Sequence, residues 1–213
     1  FCFVCSHRHT MMARDILIEA LWSNASPSSG ARNLRKAVHH IRQALGTVID
    51  CRDNPVIYRN KCYQLAPDFA VQLDTDEFED LIKRAQTEKK DRPQYITRAL
   101  DLYQDGYGQG WYEDWVEAKR GYYARQYEEC LAMMADVAMR RNDLSESAKL
   151  YQKLIAHAPC DESYRRKFWR ALAGMKKLNE VKKDFGELKK VLRKELKTEP
   201  QRQTVELYDS IVK

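Results

Sequence analysis

The sequence predicts a mainly α chain: an N-terminal helix-turn-helix with a small β-hairpin, followed by an all-α array of helical pairs. Three observations predict this. A helix-spaced apolar stripe runs through "GARNLRKAVHHIRQALG", Gly30 to Gly46, whose remaining positions carry four Lys/Arg residues and no acid. Short β-branched and aromatic runs broken by turn residues follow in "VIDCRDNPVIYRNKCYQLAP". Near the C-terminus, apolar or small residues recur at a spacing of 34 residues.

Residues 1–9, "FCFVCSHRH", read as the last turns of an apolar helix. In "ARDILIEALW" the stripe Ile16, Leu17, Ala20 and Leu21 predicts a short amphipathic helix with Glu19 outside. "SNASPSSG" collects Ser, Asn, Pro and Gly and predicts a turn. The helix of residues 30–45 then presents Ala31, Leu34, Ala37, Val38, Ile41 and Leu45 on one face. Rotation of about 100° per residue sends Arg32, Lys36, His39, His40 and Gln43 to the opposite side, with Arg35 and Arg42 flanking the stripe. Two or three short antiparallel strands are expected over residues 48–67, with "RDNP" and "RNK" as turns and Arg59 and Lys61 at a hairpin tip. Helix, turn, basic helix and hairpin is the order of a winged helix-turn-helix, whose second helix enters the major groove.

After residue 68 the pattern turns helical. "DTDEFEDLIKRAQ" has cap candidates and acids in its first turn, then the stripe Phe78, Leu81, Ile82 and Ala85. Another helix is expected over about Pro93–Tyr103; "QDGYGQG" breaks it, and a long helix begins near Trp111. Trp111, Tyr112 and Trp115, and then Tyr122, Tyr123 and Tyr127, are expected to pack between helices. The 34-residue pairs are Met134 and Phe168, Ala138 and Leu172, Ser147 and Val181, Tyr151 and Phe185, and Leu154 and Leu188. That period is the tetratricopeptide one, and "NDLSESAKLYQKLIAHAP" supplies its turn, small residue, aromatic and closing proline. In "KKLNEVKKDFGELKKVLRKELK" the residues Leu178, Val181, Phe185, Leu188 and Leu192 should point inward, leaving the lysines as a solvated face. The last helix, "QRQTVELYDSIVK", should complete the array.

Composition bounds the function. The 213 residues are 44% hydrophobic, enough for real cores, and 37 basic against 31 acidic residues leave a net charge of +6, which suits a polyanionic partner. Six scattered cysteines form no secreted framework, so a reducing cytoplasm is the expected location. Cys2, Cys5, His7 and His9 have the residue types of a zinc site, but no second ligand cluster follows at finger-like spacing and no metal is assigned. No membrane span and no signal peptide are read, and Phe1 in place of Met suggests a chain cut from something longer. P-loop, Rossmann, H-E-x-x-H and G-x-S-x-G motifs are all missing, so no enzyme activity, catalytic residue or cofactor is expected.

The series "RDILIEALW", "ARNLRKAVHHIRQALG", "VIYRNKCYQLAPD", "LDTDEFEDLI", "YEDWVEAKR" and "LRKELKTEPQRQTVELYDSI" resembles a truncated OmpR-type winged helix joined to a bacterial transcriptional activator domain. That arrangement is found in the antibiotic-regulatory-protein class of transcriptional regulators. The resemblance runs from about Ala13 to the end, and "DWVEAKR" is its most specific motif. It implies residues 1–68 as a partial DNA-binding winged helix, without the small sheet and complete first helix that usually precede "RDILIEALW", and residues 69–213 as the activator domain. It further implies that residues 30–45 form the recognition helix. Arg32, Lys36, His39 and His40 would reach base edges, Arg35, Arg42, Arg59 and Lys61 would meet phosphates, and Asn33 completes the DNA-binding set. Carboxylates on such a helix would be repelled by the duplex. The implied partner is double-stranded DNA, with dimerisation, signal input or contact with RNA polymerase or another protein assigned to the helical repeats. A homodimer would suit paired half-sites. The competing reading is an interaction scaffold whose repeats bind a protein or peptide beside a degenerate winged helix.

Overall fold

The computed structural model describes residues 1–46, 54–103 and 106–213. The strand and turn expected over residues 48–53 lie outside the described residues, as does the start of the "QDGYGQG" break. In chain order the elements are α1 (Cys2–Cys5), β1 (Met12–Ala13), α2 (Arg14–Trp22), α3 (Pro27–Gly46), β2 (Val56–Arg59), β3 (Cys62–Leu65), α4 (Asp74–Thr87), α5 (Arg92–Leu102), α6 (Asp114–Arg140), α7 (Leu144–His157), α8 (Glu162–Gly174), α9 (Leu178–Val191) with a π-helical turn Leu192–Leu196, and α10 (Arg202–Val212). They form two units, one of Phe1–Leu73 with Gly110–Ala118, the other of Asp74–Gln109 with Lys119–Lys213.

In the first unit an antiparallel sheet of order β1-β3-β2 carries the helices. Tyr58 lies opposite Tyr63 and Arg59 opposite Cys62, so the hairpin tip is the pair Asn60 and Lys61. Both have positive φ, 52° and 61°, as a two-residue type I′ turn requires. Strand β1 pairs Met12 with Tyr63; this two-residue strand is too short to leave a periodic signal. Residues 1–9 make only one short helix, because Ser6 and His7 turn back onto the Phe3 carbonyl (Ser6 Oγ 2.9 Å, His7 Nδ1 2.8 Å).

The second helix of the predicted pair begins a turn earlier than its basic run. Ser26 accepts the Ser29 amide at its Oγ (3.4 Å), Pro27 takes the first helical position, where its missing N–H costs nothing, and Gly30 lies inside α3. Gly30 is the crossing point with α2: a Cβ there would stand 2.4 Å from Ile18 Cγ2. The inward stripe of α2 is Leu17, Ile18, Ala20 and Leu21: three of the four predicted positions pack inward, Ile18 replaces Ile16, and Ile16 is 60% exposed. Leu17, Leu34, Val38, Val56, Tyr63 and Leu65 form the core together with Phe3, Val4 and Met12. Trp115 meets Phe3 edge-on at 5.1 Å, as an aromatic expected to pack should, and Trp111 lies against Trp115 with centroids 6.1 Å apart, whereas Tyr112 is 86% exposed.

The second unit is a run of helical pairs. α4 and α5 bury Phe78, Leu81, Ile82, Ala85, Ile96 and Ala99 with Tyr123 and Cys130 of α6. Tyr122 is exposed, since one residue's rotation carries it off the face that Tyr123 buries. Gly106, Gly108 and Gly110 hold positive φ, which accounts for the break before α6. Of the 34-residue pairs, Ala138 and Leu172, Ser147 and Val181, and Leu154 and Leu188 are buried at both members. Leu178, the first residue of α9, is exposed and does not join the inward stripe. The buried Ser147 hydroxyl donates to the Ala135 carbonyl at 3.0 Å, tying α7 to α6. Arg165 pairs with Asp184 at 2.6 Å while Trp169 Nε1 donates to the other carboxylate oxygen at 2.7 Å, so the α8–α9 contact holds a paired buried charge, with Arg165 Nε left without a hydrogen-bond partner among the described residues.

Candidate nucleic-acid interface

α3 carries no Asp or Glu anywhere along its length. Leu34 and Val38 bury its apolar face against the sheet and α2, and this orientation leaves Arg32, Arg35, Lys36, His39 and His40 exposed. Asn33 is half-buried. The His39 and His40 rings lie side by side, centroids 5.9 Å apart. Arg32 reaches only the Ser29 hydroxyl, at 3.4 Å, and among the described residues none of these side chains is ion-paired to a carboxylate. Some basic residues elsewhere are paired with carboxylates, as in Arg98–Glu77 and Lys167–Asp136.

Arg59 and Lys61 are exposed at the hairpin end, as expected, with Lys61 held in the left-handed region. Arg42 differs from its neighbours: it is half-buried, and its Nη2 donates to the Val56 carbonyl at 2.6 Å. It therefore fastens α3 to the edge strand β2. Its Nε is buried and has no hydrogen-bond partner among the described residues.

Folding also brings together residues that sequence patterns do not single out. Arg14 starts α2, and its backbone N–H donates to the Lys61 carbonyl at 2.9 Å, which ties that helix to the hairpin turn. Its guanidinium, paired with Asp15 at 2.9 Å, lines a cleft beside α3 that Arg35, His39, Arg42, Tyr58 and Tyr63 also line. Burial and the neighbouring Tyr58 push the Tyr63 hydroxyl's pKa up, against the opposing pull of Arg42, Arg35 and Arg14. Helical periodicity predicts the α3 members of this cleft; Arg14, Tyr58 and Tyr63 come from other elements and leave no pattern in sequence.

Residues 73–212, more than half of the chain, match the family model described as the bacterial transcriptional activator domain. No curated protein matches the chain. Among solved structures, Mycobacterium tuberculosis EmbR in complex with a low-affinity phosphopeptide is similar, with a TM-score of 0.69 at 17% identity over 96% of this chain. The chain spans 55% of that protein's length, and a likeness at this identity is one of fold. Among the described residues no helix is long and apolar enough to cross a membrane.

Proposed function

Because the chain belongs to the bacterial transcriptional activator domain family, we propose that it is a sequence-specific DNA-binding transcriptional regulator that reads the major groove with α3. The single observation that carries this reading is the outward side of α3: five exposed basic or imidazole side chains, Arg32, Arg35, Lys36, His39 and His40, none of them ion-paired to a carboxylate among the described residues. Groove edges are read by hydrogen bonds from such side chains, and phosphates are met by the flanking cations. Arg32, Asn33, Lys36, His39 and His40 take the base edges; Arg35, Arg59 and Lys61 take phosphates. Arg42 enters with one donor committed to Val56, so it sets the angle of α3 on the sheet and offers a phosphate only its remaining donors. In this proposal residues 1–68 bind DNA, and residues 69–213 serve dimerisation, signal input or contact with RNA polymerase.

The test is duplex binding measured against salt, on sequences selected from a random pool. Each neutralised phosphate should contribute about −0.9 to the slope of log K against log salt. Lys36→Ala and Arg32→Ala should each cost about 1–3 kcal/mol on the selected sequence and little on random duplex, whereas Arg59→Ala should weaken both alike. A flat salt dependence would leave the scaffold reading in possession.

A further inference from the structure

Between α3 and the sheet of the first unit lies a cleft of about 370 Å³, within the size range of small-molecule sites. Arg14, Arg35 and Arg42 line it with His39, Tyr58 and Tyr63, and among the described residues no Asp or Glu lines it. Like charges gathered around one cavity repel, and little here relieves them. Arg14 has Asp15, Arg42 reaches a neutral carbonyl and leaves its buried Nε without a partner, and Arg35 has no ion pair among the described residues. The two tyrosine rings, centroids 4.6 Å apart and tilted by 40°, set an aromatic wall beside those donors. An anion would offset the repulsion and take up the exposed donors of Arg14 and Arg35, and a planar group would lie against the exposed Tyr58 ring.

The geometry points to a binding site in this cleft for a small organic anion, a planar ring carrying a phosphate, held by the arginines with its ring against Tyr58, which Tyr63 backs from the core. Arg35 and His39 belong both to this cleft and to the proposed DNA surface, so a bound anion displaces duplex. That regulatory consequence rests on the DNA-binding reading, whereas the site itself does not. A ring with a phosphate is also the chemistry of a nucleotide in a DNA strand, so the experiment must separate a free ligand from the duplex.

Calorimetric titration of the whole chain with adenosine monophosphate, inorganic phosphate and adenosine decides it. The expected result is the monophosphate binding at least about tenfold more tightly than either fragment, because ring and phosphate are engaged together. Arg14→Gln and Tyr58→Ala, both at exposed positions outside the proposed DNA set, should each weaken the monophosphate about tenfold while leaving the far-ultraviolet circular dichroism unchanged and duplex affinity within about twofold. In the unsubstituted chain, the monophosphate should also release bound duplex. Binding no tighter than that of phosphate or adenosine overturns the site. Parallel loss of duplex and monophosphate affinity in Arg14→Gln overturns it too, since the cleft would then be part of the DNA surface. If the chain binds no duplex, the regulator reading falls and the titration still decides the site.

Discussion

Single residues set distances here that their side-chain chemistry alone does not announce. Gly30 sits in the first turn of α3, where glycine still costs backbone entropy relative to alanine, yet Ile18 of α2 occupies the space its Cβ would need. Gly30→Ala should therefore destabilise by about 1–3 kcal/mol, measured by urea unfolding, since α2 must retreat from the crossing. Gly186 in α9 has nothing within 4 Å of the point where a Cβ would stand, so Gly186→Ala should stabilise by about 0.5–1 kcal/mol in the same assay. The two substitutions are chemically identical and opposite in sign because only one helix face is in close contact. Arg42 makes the same point for charge. Its place beside the apolar stripe is legible in the sequence, but its hydrogen bond to Val56 depends on where β2 passes.

At the scale of elements, the hairpin tip holds a conflict between turn chemistry and charge. A type I′ turn favours Asn and Gly, and Asn60 conforms, but the second position is Lys61 at φ 61°. A side chain in that conformation costs about 1 kcal/mol relative to glycine. Lys61→Gly should raise stability by about 0.5–1 kcal/mol in thermal unfolding, offset in part by the greater freedom of glycine in the unfolded chain. The same substitution should make the salt slope of duplex binding shallower by about 0.9, the contribution of one phosphate. A stabilised protein with an unchanged slope would remove Lys61 from the proposed interface. In α3 the element-level signals agree: the apolar stripe, the cap at Ser26 and the acid-free outer side belong to one continuous helix. Its start lies earlier than the sequence predicts because the Ser- and Pro-rich stretch that reads as a turn also makes a helix N-terminus.

At the scale of the whole molecule, each unit closes around its own core, and the helical array of the second needs an end. α10 supplies it. The Glu162 carboxylate, on a residue only 6% exposed, accepts the Gln201 backbone N–H at 3.0 and 3.1 Å, and Arg166 donates to Thr204 at 2.7 Å. Glu162→Ala should cost about 1–3 kcal/mol and speed amide hydrogen exchange through Arg202–Val212, with the first turns of α8 less affected. Equal exchange in α10 before and after the change would show that Leu207, Tyr208 and Ile211 dock it unaided. The helices, the 34-residue spacing of the array and the acid-free side of α3 are legible along the chain, because helix periodicity and charge are properties of consecutive residues. Tertiary structure alone decided that Arg14, Arg35, Arg42 and the Tyr58–Tyr63 pair share one cleft, that Gly30 is a crossing point, and that Met12–Ala13 pairs as a strand. Those contacts join residues far apart in the chain, and their geometry follows from how the elements pack, which no local spacing records.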